Sequence, residues 1–383
     1  MTTIALVVFW GSVALIIYIY IGFPLLLMLR GLLFPVKLNI QKDDLPSISI
    51  IIAAYNEAEN IVRKLHNTLS LDYPSDKVQI IIASDGSEDG TNELVEQYPS
   101  EKIQFLKLPR QGKNRTINTA VQEATNDVLV FSDADSMLDK AALRHLVAPL
   151  GDPRVGAIGG NYFYATDVTE GEGERSYWGI DRLLKTLQSR TGSMTSATGQ
   201  IFAIQRSLFK PVPLSVTDDF YISTQAPSAH LRLFFEPKAI ARGPVAGSSK
   251  SEYRRKVRVI TRGLNSVRQM KHLLNPFQYG FYAVQLLSHK VLRRMVFIPL
   301  LAMPIALLFL AQESLVYLVF LVLQLGFHGL GLLSYMLQNT KLGRLKPLSL
   351  ILFFEMVNVA CAVATSNILR GKKYDVWIAE RSD

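Results

Sequence analysis

Residues 128–136 read VLVFSDADS, and this segment decides the predicted fold of the 383-residue chain. Its four leading residues are branched or aromatic, which is typical of a buried central strand in an α/β sheet. Asp133 and Asp135 follow at the carboxyl end of that strand, the edge at which open α/β sheets bind ligands. Two carboxylates on a tight turn suit a hard divalent cation that can hold nucleotide phosphates. Taken alone, the pair fits ordinary turn aspartates equally well.

Strands and helices alternate around this segment. Apolar runs predict strands at 47–53, 78–83 and 103–107, with helices over 56–69 and 112–124. This alternation predicts a mostly parallel, Rossmann-like sheet with helices on both faces. Asp85 ends the second strand, so we expect it to share one sheet edge with Asp133. A shared edge favours one nucleotide cleft over two unrelated turns.

The two ends of the chain are more apolar than its middle. Mean hydropathy is +0.20, which is high for a soluble enzyme. Residues 4–29 contain no charged side chain and exceed the roughly 20 residues that cross a bilayer. They lack a basic leader and a cleavage site, which indicates a retained anchor rather than a signal peptide. Further candidate spans lie at 296–311, 315–337 and 348–369, the last with Glu355 and Asn358, which we expect to face protein or water.

We divide the chain into four parts on this basis. They are a transmembrane anchor at 1–36, a globular α/β domain at 37–270, an interfacial amphipathic segment at 271–294, and transmembrane helices with a tail at 295–383. Arg30, Lys37 and Lys42 follow the first span, so the positive-inside rule predicts a multi-pass protein of the cell membrane with a cytoplasmic domain. The basic tail at 370–373 does not fit four full spans, so either the last segment is re-entrant or one span is miscounted.

Composition excludes several kinds of site. The only cysteine, Cys361, lies in an apolar segment, so we expect neither a disulfide framework nor a thiolate metal site. The six histidines are scattered, which argues against a zinc site. Residues 250–294 hold 11 Lys and Arg residues and one acid, Glu252. That run fits a solvated face, an anionic-lipid contact or a phosphate site. Aromatic residues do not alternate with it, so nucleic acid is not an expected partner.

Several short motifs follow one another in a recognisable order between residues 47 and 262. They are Tyr55-Asn56-Glu57, Asp85-Gly86-Ser87, Gly112-Lys113 with Asn118, Asp133-Ala134-Asp135, and Thr217-Asp218-Asp219. With them the chain resembles the membrane-bound glycosyltransferases of family 2, and the ordered spacing is more specific than any single motif. The resemblance implies a GT-A fold, a UDP-sugar donor, a Mg²⁺ or Mn²⁺ ion, and inversion at the anomeric carbon.

The resemblance also implies which residues bind the nucleotide. It assigns the nucleoside to Tyr55, Asn56, Glu57 and Asp85, and it places Lys113 beside the nucleotide. A carboxylate suits the nucleoside site because its oxygen can accept a hydrogen bond from the imino group of uracil.

The remaining roles concern the ion and the reaction. The resemblance assigns Asp133 and Asp135 to the metal, with Asp133 nearer the ribose, and Asp219 to the catalytic base. Sugar transfer needs neutralisation of the leaving diphosphate and a base for the acceptor hydroxyl, which this set would supply. Asp218 and Asp219 also fit an acidic pair favoured by a helix dipole. Four basic residues of the 250–294 run could steady the leaving diphosphate by charge-assisted contacts, namely Arg255, Lys256, Arg258 or Arg262, and of these we select Arg258.

One departure from the family bears on the product. Processive polysaccharide synthases of this family carry Gln-x-x-Arg-Trp near residues 253–263, where this chain reads YRRKVRVITRG. Residues 198–200, Thr-Gly-Gln, resemble the acceptor-side glycine segment but also fit a plain turn. We therefore expect transfer of one sugar to a lipid-linked or membrane-embedded acceptor in exopolysaccharide or envelope glycan synthesis. The alternatives are a processive synthase and a non-catalytic, nucleotide-sensing membrane protein.

Overall fold

The structure is a computed structural model that describes residues 1–40, 45–164, 172–243, 249–338, 340, 342–343, 345–372 and 374. Its strands are β1 (Ile48–Ala54), β2 (Val78–Asp85), β3 (Ile103–Leu108), β4 (Val128–Phe131), β5 (Met137–Leu138), β6 (Val155–Tyr164), β7 (Phe202–Gln205) and β8 (Arg232–Gly243). The helices of the globular part are α3 (Ala58–Leu69), α4 (Thr91–Glu96), α5 (Lys113–Gln122), α6 (Ala142–Val147), α7 (Glu172–Thr191), α8 (Asp218–Ser223), α9 (Gln225–Ser228) and α10 (Ser249–Gln269).

The apolar ends form the other helices. They are α1 (Thr2–Ile17), α2 (Phe23–Leu33), α11 (Pro276–Tyr279), α12 (Phe281–Leu286), α13 (Phe297–Leu310), α14 (Leu315–Leu337) and α15 (Lys346–Leu369). A π-helical turn, Tyr18–Gly22, joins α1 to α2. A second π-helical turn, Leu287–Val291, follows α12 and leads into a 3₁₀ turn, Leu292–Met295.

The strands form one sheet in the order β3-β2-β1-β4-β7-β6-β8-β5. The first four are parallel neighbours, which confirms the predicted parallel α/β sheet around β4. The remaining strands make the sheet mixed, because β7 runs antiparallel to both β4 and β6. The apolar residues of β4 therefore lie in the middle of the sheet, where both faces are covered.

Alternating side chains of β1 supply both layers of the core. Ile50 and Ile52 pack with Ile61 of α3 on one face, whereas Ile51 packs with Ile117 of α5 on the other. A strand buried on both faces reads as a continuous apolar run, which explains the sequence SISIIIA at 47–53. The carboxyl ends of β1, β2 and β4 consequently lie at one fixed edge.

Among the residues that the structure describes, three helices are long and apolar enough to cross a membrane: Thr2–Leu33, Leu315–Leu337 and Lys346–Leu369. The segments Phe281–Met295 and Phe297–Leu310 pass the same test together but are bent by 52°. The predicted first C-terminal span is thus one arm of a bent pair, and most of the predicted interfacial segment forms the other arm, Phe281–Met295. Gly280, at φ 54°, separates α11 from α12.

Two polar residues of α15 turn toward protein, as predicted. The Glu355 carboxylate lies 2.8 Å from Nδ1 of His328 on α14. The Asn358 amide donates to the carbonyl of Phe354. Each polar group therefore has a partner within the helical bundle, which reduces the cost of placing it in lipid.

The two-sided burial of β1 predicts a matched pair of stabilities. Ile51 is 1% exposed and Val62 on the outer face of α3 is 42% exposed. Ile51→Ala leaves a cavity, so it should cost about 2–5 kcal/mol and lower Tm clearly. Val62→Ala should change stability by less than about 0.5 kcal/mol. Thermal unfolding of the full-length protein in detergent measures both, and equal shifts would contradict the packing described.

Candidate active site

The carboxyl ends of β1, β2 and β4 bring the predicted site residues to one edge. Residues 55–57 follow β1, Asp85 ends β2, and Asp133 is the second residue after β4. Since β1 pairs in parallel with both β2 and β4, the three turns are neighbours. The predicted shared edge is therefore confirmed.

Asp85 is anchored by the segment that follows β3. Its carboxylate accepts hydrogen bonds from the backbone N–H groups of Gln111 and Gly112 at 2.8 and 2.9 Å, and from the Thr116 hydroxyl at 3.0 Å. It also pairs with the guanidinium of Arg110. The side chain is 3% exposed, so these contacts fix its orientation.

Arg110 links the Asp85 carboxylate to Tyr55, which is predicted to contact the nucleoside. Its guanidinium carbon lies 3.3 Å from the centroid of the Tyr55 ring, which is a close cation–π contact. Sequence reasoning missed Arg110, because a lone arginine in a loop carries no motif. Its only signal was its position two residues before Gly112.

Gly86 must be glycine for two reasons. Its φ is +69°, and a Cβ built on it would lie 2.6 Å from the backbone nitrogen of Arg110. The residue therefore allows the turn after β2 to touch the loop that carries Arg110.

Asn56 and Glu57 build the turn after β1. Asn56 has φ 53°, and its side-chain oxygen accepts from the Glu88 backbone N–H at 2.9 Å. The buried Glu57 accepts from the Asn60 amide at 2.8 Å, while its own N–H donates to the Thr91 hydroxyl. These bonds join the turns after β1 and β2. Nucleoside contact by Asn56 and Glu57 stays a prediction.

Lys113 joins two acidic segments that are far apart in the chain. Its ammonium lies 2.6 Å from Oδ1 of Asp133 and 3.2 Å from Oδ2 of Asp218. Burial disfavours the charge on Lys113, but the two carboxylates outweigh burial and raise its pKa. Gly199 lies against Asp133, since a Cβ there would be 3.3 Å from Oδ2. The turn at 198–200 is thus part of the site.

Asp135 lies two residues after Asp133 in the turn that follows β4. Burial, followed by the nearby charge of Asp133, raises its pKa. Its carboxylate accepts a hydrogen bond from the Ser136 hydroxyl at 3.1 Å. A carboxylate with these neighbours is stabilised by any cation that comes between it and Asp133.

Lys64 supports this turn from inside the domain. The side chain is fully buried on α3, and its ammonium donates to the Ser132 hydroxyl at 2.6 Å and to the Ser136 carbonyl. Burial lowers the pKa of Lys64 to about 8, against the opposing pull of Asp133 and Asp135. Sequence reasoning missed Lys64 too. The available signal was a lysine on the apolar face of an amphipathic helix.

The two acids of α8 have opposite environments. Burial disfavours ionisation of Asp218, but Lys113 and Arg262 outweigh burial and lower its pKa. Burial and then the charge of Asp218 raise the pKa of Asp219. Neighbouring carboxylates whose pKa values are pushed apart suit different roles. Asp218 is an ion-pair partner, and Asp219 has the more basic carboxylate.

The loop before α8 is held from two sides. On α5, Asn114 donates to the Val216 carbonyl at 3.1 Å and Asn118 donates to the Val212 carbonyl at 3.0 Å. From α10, Arg262 donates to the Val216 carbonyl at 3.0 Å and to Asn114. Arg262 is thus committed to positioning this loop. Arg258 lies one helical turn earlier, partly buried, and its predicted contact with a diphosphate stays a prediction.

The donor set can be compared with the needs of a divalent cation. Asp133 and Asp135 offer carboxylate oxygens, which Mg²⁺ and Mn²⁺ prefer. In the part of the chain that the structure describes, no three His, Cys, Asp or Glu side chains group closely enough to hold a metal ion. The pair therefore fits an ion that brings further oxygen ligands, such as water and the phosphates of a nucleotide.

Two cavities lie on opposite edges of the sheet. A narrow one of about 10 Å³ is lined by Lys113, Asp133, Gly199 and Asp218. A larger one of about 580 Å³ is lined by Leu45, Asp127, Arg144 and their neighbours at the amino end of β4. The larger cavity is lined by none of the predicted site residues, whereas Lys113 and Asp133 line the narrow one.

Known proteins share this sequence pattern. Residues 49–212 match the family model described as Glycosyl transferase family 2. The chain is 28% identical over 214 residues to a poly-β-1,6-N-acetyl-D-glucosamine synthase of Staphylococcus aureus (strain COL). The aligned region covers 53% of this chain and 51% of that protein. This chain is 35% identical over 127 residues to a probable glycosyltransferase, YdaM, of Bacillus subtilis (strain 168), covering 31% and 30%. The chain therefore spans about half of the length of the first relative and less than a third of the length of the second.

A solved structure shares the whole architecture. It is the mannosyltransferase PcManGT from Pyrobaculum calidifontis, in complex with GDP-Man and Mn²⁺. The TM-score is 0.72 at 22% identity, and the match covers 96% of this chain and 100% of that one. This likeness confirms the predicted α/β GT-A fold.

The contact between Gly86 and Arg110 predicts a difference between two glycines. Gly86 and Gly90 both have positive φ, but a Cβ on Gly90 would meet nothing within 4 Å. Gly90→Ala should cost about 1 kcal/mol from backbone conformation alone. Gly86→Ala should also displace Arg110 and the N–H groups that hold Asp85. We expect a larger drop in Tm and, for UDP as the nucleotide predicted from the sequence, binding weakened by about 10-fold or more.

Thermal unfolding and UDP titration of the two full-length variants check this prediction. Equal effects of the two substitutions on UDP binding would contradict a role of this turn in the site.

Proposed function

We propose that this chain, whose residues 49–212 form a glycosyltransferase family 2 domain, is a membrane-bound, inverting transferase. It moves one sugar from a UDP-sugar to a lipid-linked or membrane-embedded acceptor, in exopolysaccharide or envelope glycan synthesis. The observation that supports this most directly is the pair of contacts made by Lys113, at 2.6 Å to Asp133 and 3.2 Å to Asp218. They join the acidic turn after β4 to the helix that carries Asp219.

The donor nucleoside binds beside Tyr55 and Asp85 in this proposal. The uracil imino group donates to the Asp85 carboxylate, and the Tyr55 ring offers a stacking face. Both side chains are engaged by Arg110, so the incoming base replaces or shares those contacts. PcManGT was solved with GDP-Man, which makes a GDP-sugar the second candidate donor.

A divalent cation completes the donor site. Asp135 and Asp133 would hold Mg²⁺ or Mn²⁺, together with phosphate oxygens of the donor. When bound, the ion supplies neutralisation of the negative charge that develops on the departing diphosphate. Lys113, and Arg258 on α10, add positive charge from the protein.

Asp219 accepts the proton of the acceptor hydroxyl. As the oxygen of that hydroxyl bonds to the anomeric carbon, the bond from that carbon to the diphosphate breaks and the nucleoside diphosphate leaves. The raised pKa of Asp219 lies closer to working pH than that of an ordinary carboxylate, which suits Asp219 to act as a general base. A single displacement inverts the anomeric centre.

The acceptor comes from the membrane side. Lys256 of α10 lies 4.8 Å from the ring centroid of Phe353 on α15, so a helix next to the cleft packs on an apolar helix. The absence of Gln-x-x-Arg-Trp at 253–263 favours one transfer over polymerisation. The named activity of the S. aureus relative supports the second candidate, a processive synthase. A ladder of long products from purified enzyme would favour that candidate.

The non-catalytic alternative is separable as well. A nucleotide-sensing protein would bind UDP without releasing it from a UDP-sugar. Release of UDP, dependent on a divalent cation, would exclude a purely sensing role.

Asp219→Asn tests the base. We expect transfer to fall by at least about 10²-fold, because the amide cannot take the proton, while donor binding stays nearly unchanged. Turnover is measured as product mass from membranes given a panel of UDP- and GDP-sugars. Unchanged turnover would remove Asp219 from this role.

The pH dependence follows from the raised pKa of Asp219. The base works when ionised, so kcat/KM should fall as pH drops through that pKa, which lies above the ordinary value of about 3.9. Asp218→Asn removes the neighbouring charge and should shift this acid limb to lower pH. An acid limb that does not move would contradict the coupling of the two acids.

Asp135→Asn tests the metal pair. We expect the Mn²⁺ concentration for half-maximal activity to rise by about 10-fold or more, since one of two carboxylate ligands is lost. Asp139→Asn is the matched control, because Asp139 pairs with Arg242 on the outer side at 3.0 Å. Equal metal titrations for the two variants would contradict the assignment.

A further inference from the structure

We infer that Lys64 is a positioning residue for the reaction, because it ties together two turns that border the narrow cleft. These are the acidic turn at 132–136 and the turn at 198–200. The inference rests on the proposed function and adds a residue that none of the sequence motifs includes. Lys64 lies on α3, beneath the cleft, and acts through the Ser132 side chain and the backbone around it.

Lys64 is bonded to both ends of the acidic turn. Its ammonium donates to the Ser132 hydroxyl at 2.6 Å and to the Ser136 carbonyl. Ser132 directly precedes Asp133, and Ser136 directly follows Asp135. The two predicted metal ligands therefore lie between two residues that a single side chain holds.

The Ser132 hydroxyl extends this contact to the second turn, because it donates to the Gln200 carbonyl at 2.9 Å. An ammonium group can only donate, so the hydroxyl accepts from Lys64 and its one proton is left for Gln200. Gly199, next to Gln200, lies against Asp133, where a Cβ would be 3.3 Å from Oδ2. A chain of two hydrogen bonds thus runs from Lys64 to the turn that contacts Asp133.

The charge of Lys64 is costly in this position. The side chain is fully buried, and within the described part of the chain its hydrogen bonds go to a hydroxyl and a backbone carbonyl. Both acceptors are neutral, so a neutral donor could satisfy them without taking a charge out of water.

The neighbouring acids give the charge a function. Two carboxylates in one turn, Asp133 and Asp135, repel each other, and a fixed positive charge beneath them offsets that repulsion while no metal ion is bound. Their charges in turn favour the ammonium form of Lys64. Lys64 therefore keeps the acidic turn in one shape before the ion arrives.

The charge and the hydrogen bonds of Lys64 have opposite effects on a metal ion. A positive charge beneath the turn repels a divalent cation, so removal of the charge alone would strengthen Mn²⁺ binding. Loss of the hydrogen bonds releases the two carboxylates from a shared geometry, so it would weaken Mn²⁺ binding. A positioning role requires the second effect to dominate, and the sign of the change therefore decides.

A titration of Mn²⁺ measures this sign. The full-length protein in detergent is titrated with Mn²⁺ at saturating UDP, and free Mn²⁺ is read by electron paramagnetic resonance. Lys64→Met removes the ammonium and keeps an unbranched apolar side chain, and it should weaken Mn²⁺ binding by about 10-fold. Thr68→Val is the matched control, since Thr68 is also buried on α3 and its hydroxyl bonds only to the Lys64 carbonyl. It should leave Mn²⁺ binding unchanged.

A double-mutant cycle tests the link through Ser132. Ser132→Ala keeps the charge of Lys64 and should also weaken Mn²⁺ binding by about 10-fold, because the chain of hydrogen bonds is broken. The double variant should then lose no more than Lys64→Met alone, since both substitutions break one chain. An additive loss of about 100-fold would overturn the link.

Hydrogen–deuterium exchange without added metal tests the second turn. Amides of residues 198–201 should exchange about 10-fold faster in Lys64→Met and in Ser132→Ala, but not in Thr68→Val. Unchanged exchange at 198–201 in Lys64→Met would overturn the inference. Unchanged or tighter Mn²⁺ binding in that variant would overturn it as well.

These measurements do not need turnover, so they are separate from a test of the transferase function by release of UDP from a UDP-sugar. If the unchanged protein binds no Mn²⁺, the metal assignment of the proposed function fails, and exchange at 198–201 decides the role of Lys64. If Lys64→Met does not fold, Ser132→Ala decides by the same titration and the same exchange measurement.

Discussion

The contacts of Lys113 with Asp133 and Asp218 are the constraint on which the candidate site depends. They bring a turn fixed by the central strand β4 against a helix that starts more than 80 residues later in the chain. Two carboxylates close together repel each other unless a cation lies between them. Lys113 supplies that cation for Asp133 and Asp218, and this leaves Asp135 and Asp219 as the acids with raised pKa values. The same arrangement therefore separates a candidate metal ligand and a candidate base from their ion-paired neighbours.

Buried charge is balanced in layers around this edge. Lys64 lies beneath the acidic turn and bonds to Ser132 and Ser136, so the turn is held before any ligand binds. Arg110 supports Asp85 in the same way at the end of β2, on the other side of β1. Preformed support of this kind lowers the cost of ordering the site on ligand binding.

Much of the fold could be predicted because the strand signal is local. The runs at β1, β2 and β4 are apolar on both faces, which only a central parallel strand requires, and the acids directly after them must then share an edge. The order of motifs predicted one cleft for Asp85, Lys113, Asp133 and Asp219, and of these Lys113 and Asp133 line the narrow cavity. The candidate membrane spans could be predicted in the same way, because a helix that crosses a bilayer needs about 20 apolar residues in a row. The bend of 52° at residue 296 could not be predicted in this way, because it follows the 3₁₀ turn Leu292–Met295, and hydropathy does not report such a turn.

The sequence by itself determined the strand core, the acidic edge and the apolar spans, because each depends on side chains that are near one another in the chain. Only the tertiary structure decided which acid pairs with which base. Lys64 and Arg110 are single basic residues without a motif, and their roles arise from partners that lie 72 and 25 residues away in the chain. It also decided that Arg262 positions a loop, although the sequence offers it equally with Arg258 as a phosphate ligand. Electrostatic roles depend on distance and burial in three dimensions, which a linear pattern of charges does not contain.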